Sequence, residues 1–262
     1  MTAINFSKYQ GTGNDFILID KRKMELNWDI HIIKKLCDRK FGIGADGLIF
    51  IEDDPSLDFY MQYYNADGNQ ASLCGNGGRC AVDFAKKLKI ISSNKVCFRA
   101  IDGIHKAIIE KNKISLEILD VKEIIKEEDK GAIFLDTGSP HVVKFLNNLD
   151  KIDVYKQGRA IRYNPLYKEK GVNVNFVEIL SHDTIKIRTY ERGVENETLS
   201  CGTGVSAAAI VSYEMKKINT TNIFIETKGG PLEVSFHKEK GVYKKIWLSG
   251  EVGFVFKGSI KI

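Results

Sequence analysis

The chain has 262 residues, 43% hydrophobic and 28% charged, with 39 basic against 34 acidic side chains and a net charge of +5. That balance excludes a disordered tail, a collagen-like fibre and a disulfide-held miniprotein, and the length allows one large domain or two small ones. The basic excess is scattered rather than gathered in a stripe, so no nucleic-acid partner is expected. No apolar run approaches the ~20 residues that span a bilayer. The opening residues lack the basic-then-apolar pattern of an export signal. The expectation is a cytoplasmic protein without a membrane partner.

Runs rich in Val, Ile, Phe and Tyr predict strands, and apolar spacings of three and four predict helices. In chain order these are a strand at Phe16–Asp20, a helix at Asp29–Arg39, and strands at Gly47–Glu52 and Phe59–Tyr64. A helix at Gly77–Lys87 precedes strands at Lys95–Ala100, Lys106–Glu110, Ile114–Ile118 and Ala132–Asp136. A helix is expected at His141–Phe145 and its sequel, then strands at Val172–Ile179 and Thr184–Tyr190. A helix at Gly204–Lys216 and strands at Asn222–Thr227, Leu232–His237 and Tyr243–Ser249 complete the list. So many strands with so few helices argue against a simple alternating βαβ sheet. The charged stretch Val121–Gly131 is the natural seam, dividing the chain near residue 125.

Five cysteines, Cys37, Cys74, Cys80, Cys97 and Cys201, form no C-x-x-C pair, and the five histidines stand isolated. The odd count without an export signal reads as thiols, and no metal site is expected. Two of the cysteines open copies of one segment. Cys74-Gly75-Asn76-Gly77 and Cys201-Gly202-Thr203-Gly204 each run into a helical pattern of small and apolar residues. A cysteine at a helix N-terminus lies in the positive end of the helix dipole, which favours its thiolate. The neighbouring glycines admit a ligand close to the backbone, and the unpaired N–H groups of the first turn can cradle a carboxylate. One such site suggests a nucleophile. Two suggest thiols serving opposite faces of one carbon, where one removes a proton while the other delivers one. The helix N-termini would stabilise the charge that builds up on the substrate. Cys37, Cys80 and Cys97 lie in apolar patterns and read as core residues.

Two glycine motifs imitate a dinucleotide-binding loop. Gly42-Ile43-Gly44-Ala45-Asp46-Gly47 has its helix before and its strand after, the reverse of what that loop requires. Gly202-Thr203-Gly204-Val205-Ser206-Ala207 opens a helix but follows a polar loop rather than a buried strand. Neither predicts a nicotinamide cofactor.

Nearly end to end, the chain resembles the diaminopimelate epimerase family. The resemblance is carried by Lys8-Tyr9-Gln10-Gly11-Thr12-Gly13-Asn14-Asp15-Phe16 and by Tyr64-Asn65-Ala66-Asp67-Gly68-Asn69 followed by Cys74–Cys80. It is carried further by Arg188-Thr189-Tyr190-Glu191-Arg192-Gly193 followed by Glu197-Thr198 and Cys201–Gly204. The resemblance implies an α+β fold of two similar domains, each a set of strands wrapped around a central helix, with the active site in the cleft between them. The domains would be residues 1–125, joined by a last strand at about 250–262, and residues 126–249. It implies a cofactor-independent isomerase, a small-molecule substrate and a homodimer. The reaction would interconvert LL- and meso-diaminopimelate for lysine and peptidoglycan precursors. A proline- or histidine-type racemase on the same two-thiol plan is the alternative.

The resemblance also assigns residues. Cys74 and Cys201 would be the acid–base thiols. Backbone N–H groups of Gly75, Asn76, Gly202 and Thr203 would hold the reacting carboxylate. Glu191 and His141 would hold the reacting ammonium and assist the proton transfers. Asn14, Asn65, Asn173 and Arg192 would grip the distal end, where amides both donate and accept and Arg offers a fork to a carboxylate. Three features depart from the family pattern: Ser139 where an Asn is common, Gly47 where a Gln is common, and one extra residue in Gly193–Glu197. Phe256 stands where relatives carry a tyrosine at the dimer contact.

Overall fold

The computed structural model describes residues 3–24, 26, 28–126 and 131–261. The chain packs as two compact units, one of Met1–Leu116 with Gly250–Ile262 and one of Glu117–Ser249. Residues 127–130 of the charged stretch lie outside the described residues.

In the first unit β1 (Ala3–Gly11) and β2 (Asn14–Asp20) form a hairpin closed by Thr12 and Gly13, whose φ angles are 49° and 82°. A turn with both central residues left-handed matches the twist of the flanking strands, and glycine adopts it without a Cβ clash. Next comes α1 (Ile30–Cys37), capped by the Asp29 carboxylate, which accepts from the Ile32 N–H. β3 (Gly47–Glu52) lies parallel to β2, and β4 (Phe59–Asn65) returns antiparallel, with the short β5 (Gln70–Ala71) on it. α2 (Gly75–Lys87) then leads to β6 (Lys95–Ala100), parallel to β4, and to the antiparallel β7 (Gly103–Glu110) and β8 (Lys113–Ile118).

The second unit repeats this plan. After β9 (Ile124–Lys126) come the antiparallel β10 (Ala132–Asp136) and β11 (Pro140–Phe145), then α3 (Val154–Arg162). β12 (Asn173–Ile179) is parallel to β11, and β13 (Thr184–Glu191) is antiparallel to β12 and carries the short β14 (Asn196–Thr198). α4 (Gly202–Glu214) precedes β15 (Asn222–Thr227), parallel to β13, and the antiparallel β16 (Gly230–Glu239) and β17 (Val242–Glu251). Order and orientation from β10 to β17 match those from β1 to β8, helices included. Finally β18 (Gly253–Lys261) pairs antiparallel with β1.

Each unit wraps its strands around one helix. α2 packs on β1 to β4, and α4 on β10 to β13, β15 and β16. Val205 and Ala207–Val211 of α4 are wholly buried, so that helix is apolar on every side. This is the α+β architecture predicted from the sequence.

One predicted helix is a strand. His141–Phe145 belongs to β11, which pairs with β10 on one edge and β12 on the other. His141, Val142 and Val143 are all buried, so a central strand covered on both faces replaces the alternation that usually marks a strand. The predicted elements also omit β1 and α3. In β1 the inward series Ile4, Phe6 is continued by Lys8, a buried lysine that disguises the period. Both central helices start two residues earlier than predicted, at Gly75 and Gly202.

Candidate active site

In the first unit Cys74 is the N-cap of α2, with extended backbone (φ −88°, ψ 124°), and its carbonyl accepts from the Gly78 N–H at 2.7 Å. The N–H groups of Gly75, Asn76 and Gly77 therefore have no carbonyl one turn back. Glycine is a poor helix former, so packing must explain this start. A Cβ on Gly77 would press on Ile49 Cδ1 at 3.1 Å and on the Phe16 ring at 3.3 Å, and one on Gly78 would meet Leu73 at 3.0 Å.

Cys74 is half-buried, and its Sγ lies 3.5 Å from Asn14 Oδ1. Asn76 Nδ2 donates to the same oxygen at 3.5 Å. Asn14 is oriented from behind, because its Nδ2 donates to Asp46 Oδ2 at 2.7 Å. Arg39 ties Asp46 to Asp15, 2.7 Å from each, and Lys8 reaches Asp15 at 2.8 Å. Burial alone would raise the Asp15 carboxyl, but the hydrogen bonds and charges of Arg39 and Lys8 outweigh it and hold the group well below the usual carboxylate range.

Arg79 escaped the sequence reading. It is wholly buried on α2, donates to Gly75 O at 3.3 Å and to Asn76 Oδ1 at 2.9 Å, and meets no carboxylate among the described residues. Burial lowers its pKa, and its titratable neighbours are Cys80 and Cys74. The Thr12 hydroxyl donates to the same Asn76 oxygen at 3.3 Å, so Asn76 presents its NH₂ toward Asn14. The available signal was a cation inside an otherwise apolar helix face, one turn after the cysteine. Asn65 ends β4, exposed, with the Tyr63 hydroxyl donating to its Oδ1 at 2.8 Å. It pairs with Gly47, where a Cβ would stand 2.6 Å from both the Tyr63 ring and the Tyr64 carbonyl, so no side chain fits at that departure from the family pattern.

The second unit reproduces the helix start with different partners. Cys201 is the buried N-cap of α4 (φ −122°, ψ 112°), and its carbonyl accepts from the Val205 N–H at 2.9 Å. Its Sγ is 3.5 Å from Thr203 Oγ1, and that hydroxyl is 3.0 Å from His141 Nε2. His141 Nδ1 lies 3.0 Å from Asn175 Nδ2, so both ring nitrogens are engaged within the unit. Burial first, and then the positive charge of Arg192, push His141 down to about 3 and keep the ring neutral. Asn173 opens β12 beside His141, with Nδ2 donating to Ser139 Oγ at 2.9 Å and Oδ1 accepting from the Arg192 N–H at 2.8 Å. The Ser139 departure is thus a direct contact of Asn173. The exposed Arg192 guanidinium donates to Lys170 O at 2.9 Å, and Glu191 ends β13 partly buried.

Cys37 and Cys80 lie in the core, where burial pushes both thiols up, Cys37 to about 12. Cys97 is half-buried in β6. Among the described residues no three His, Cys, Asp or Glu side chains converge as a metal site would need, and no helix is long and apolar enough to cross a membrane.

The family model for diaminopimelate epimerase matches residues 6–119 and 133–254. The diaminopimelate epimerase of Flavobacterium psychrophilum is 54% identical over 255 residues, covering 97% of this chain and 98% of that protein. The chain belongs to the diaminopimelate epimerase family. It is therefore an isomerase of the epimerase class. The Aquifex aeolicus member of the family is 40% identical over 276 residues, covering 98% of each chain. Among solved structures, a phenazine biosynthesis protein of the PhzF family from Bacillus anthracis aligns over 100% of both chains with a TM-score of 0.76. At 16% identity that likeness shows the fold alone.

Proposed function

We propose that this chain interconverts LL- and meso-2,6-diaminopimelate without a cofactor, by proton transfer between two thiols, in the formation of lysine and peptidoglycan precursors. The observation that carries the proposal is the duplicated helix start. Cys74 and Cys201 are the N-caps of equivalent helices in two units of one topology, each beside N–H groups with no intrahelical partner. One thiolate takes the α-proton, and the electron pair left on carbon spreads into the carboxylate. The other thiol gives its proton to the opposite face and becomes the thiolate, so the reverse reaction starts from exchanged roles. The N–H groups of Gly75, Asn76, Gly202 and Thr203 stabilise the carboxylate as it gains charge. Glu191 takes the reacting ammonium. His141 acts from behind Thr203, since its ring nitrogens already meet Thr203 and Asn175. Asn14, Asn65, Asn173 and Arg192 serve the distal amino-acid end.

The 54% identity with a named diaminopimelate epimerase favours this substrate over those of a proline- or histidine-type racemase. We read the protein as a cytoplasmic homodimer. The pairing surface is supported by β18, where Phe254, Val255 and Phe256 are 44–53% exposed.

The test is α-hydrogen exchange. Purified protein without pyridoxal phosphate or metal, incubated with LL-diaminopimelate in heavy water, should place deuterium at the α-carbon and form the meso isomer. Cys74→Ala and Cys201→Ala should each abolish epimerisation while the circular dichroism spectrum stays unchanged. Absence of exchange in the unmutated protein would overturn the substrate, and full activity in either variant would overturn the two-thiol mechanism.

A further inference from the structure

The two helix starts share a frame but not a lining. Phe16 and His141 occupy equivalent places, paired in parallel with Gly47 and Asn173. Two residues further along those strands stand Ile49 and Asn175. In the first unit the third helical residue, Gly77, rests on Ile49 and Phe16, and in the second its counterpart Gly204 rests on Asn175 and His141. Two apolar side chains thus suffice beneath the helix in the first unit. The hydrogen-bonded pair in the second is an addition that the fold does not demand.

Asn175 is wholly buried and held three ways. The Thr189 hydroxyl donates to its Oδ1 at 2.9 Å. Its Nδ2 donates to the Val142 carbonyl at 3.1 Å, and a carbonyl can only accept. A flipped amide would set its oxygen against the Val142 carbonyl, so that bond fixes the amide, and the remaining hydrogen on Nδ2 points at His141 Nδ1, 3.0 Å away. That nitrogen must offer a lone pair. The neutral ring then carries its hydrogen on Nε2 and donates to Thr203 Oγ1 at 3.0 Å, which leaves the hydroxyl hydrogen of Thr203 for Cys201 Sγ at 3.5 Å.

We infer that Asn175 is a positioning residue that locks His141 in its Nε2–H tautomer, so that Thr203 donates to Cys201 and favours the thiolate. The inference rests on the two-thiol reading, in which Cys201 changes protonation in every turnover. No covalent bond in the chain is altered by it, and the proton leaving Cys201 still goes to substrate or solvent. Two charged groups bear on the arrangement. The positive charge of Arg192 opposes a charged His141 ring, and Glu191 closes β13; the first turn of α4 carries no acidic residue.

Two substrate-free measurements on the full chain test this. Nitrogen-15 NMR of labelled histidine reads the His141 tautomer, and competitive alkylation with iodoacetamide, followed by peptide mass spectrometry, reads the Cys201 titration midpoint. The unmutated protein should show a neutral Nε2–H ring across the range in which Cys201 titrates. Thr203→Val should raise the midpoint by about one pH unit, roughly tenfold less thiolate at a fixed pH below it, and leave the tautomer unchanged. Thr203→Ser should restore the midpoint. Asn175→Leu should spread His141 over both tautomers and move the midpoint the same way by less. An Nδ1–H ring in the unmutated protein, a pure Nε2–H ring in Asn175→Leu, or an unmoved midpoint in Thr203→Val would each overturn the inference. If Asn175→Leu does not fold, the unmutated spectrum and the Thr203 pair decide. Failure of the epimerase reading looks different: no α-hydrogen exchange, with tautomer and thiol behaving as described.

Discussion

A methyl group at Gly204 tests how firmly the lining beneath α4 is held. An added Cβ would lie closer to Asn175 Oδ1 than real Cβ atoms come to any neighbour, and 3.3 Å from His141 Cε1. The helix cannot retreat, because six strands surround it. Asn175 must turn instead, giving up its bonds with Thr189, Val142 and His141. Each lost bond costs about 1 kcal/mol, and more where a buried group is left unpaired. Replacing a helical glycine by alanine returns at most about 1 kcal/mol. Gly204→Ala should therefore be destabilised by about 2–4 kcal/mol. Gly77→Ala is the matched control. There the new Cβ meets the movable end of Ile49 at 3.1 Å and the Phe16 ring at 3.3 Å, so its stability should stay within about 1 kcal/mol of the parent. Urea unfolding of the three proteins measures both, with equal slopes required for comparison. Gly204→Ala as stable as Gly77→Ala would refute the claim that Asn175 is pinned.

Two further substitutions probe the first unit. Arg79→Met keeps the buried stem and removes the guanidinium that orients Asn76. The rate of α-hydrogen exchange should fall by about tenfold or more with little change in urea midpoint, and an unchanged rate would show that Asn76 is held without it. Asp15→Asn addresses acid stability. Because the folded-state pKa of Asp15 is depressed, its contribution is present above the unfolded value of about 3.9 and disappears as the pH falls through the folded one. The variant should have a lower urea midpoint at pH 7, and the gap should close on acidification below about pH 4; a gap that widens there would contradict the sign.

The strands that could be read directly were those whose interior combines Phe with Val, Ile or Leu: β3, β6, β10 and β15 have the predicted bounds. The glycines at each central helix start delayed the predicted boundary, since propensity disfavours them, while the helix packs closely at Gly77 on Ile49 and Phe16 and at Gly204 on Asn175 and His141. β1 was hidden by Lys8, whose inward position makes sense only once Asp15 of the neighbouring strand is beside it. Cys74, Cys201, Asn14, Asn65 and Asn76 stand out in the sequence because they sit in contiguous motifs. Asp46, Arg79, Asn175 and Thr189 do not, because each matters through a contact that sequence spacing does not encode.

The repeat extends beyond the two cysteine motifs to strand order and strand direction. Around the two helix starts, the divergence lies in what backs each thiol. Behind Cys74 stand charged groups, Asp46 acting on Asn14 and the buried Arg79 acting on Asn76. Behind Cys201 stands a neutral chain, Asn175 to His141 to Thr203. On the two-thiol reading this divergence has a use. Two thiols in identical surroundings would share one intrinsic acidity, whereas the reaction needs one charged and one neutral at the same pH. A buried cation behind one and uncharged hydrogen-bond donors behind the other set the two thiols in different electrostatic surroundings within the same backbone frame. On that reading, a fixed frame with exchanged linings turns a duplicated helix start into two acid–base groups that differ.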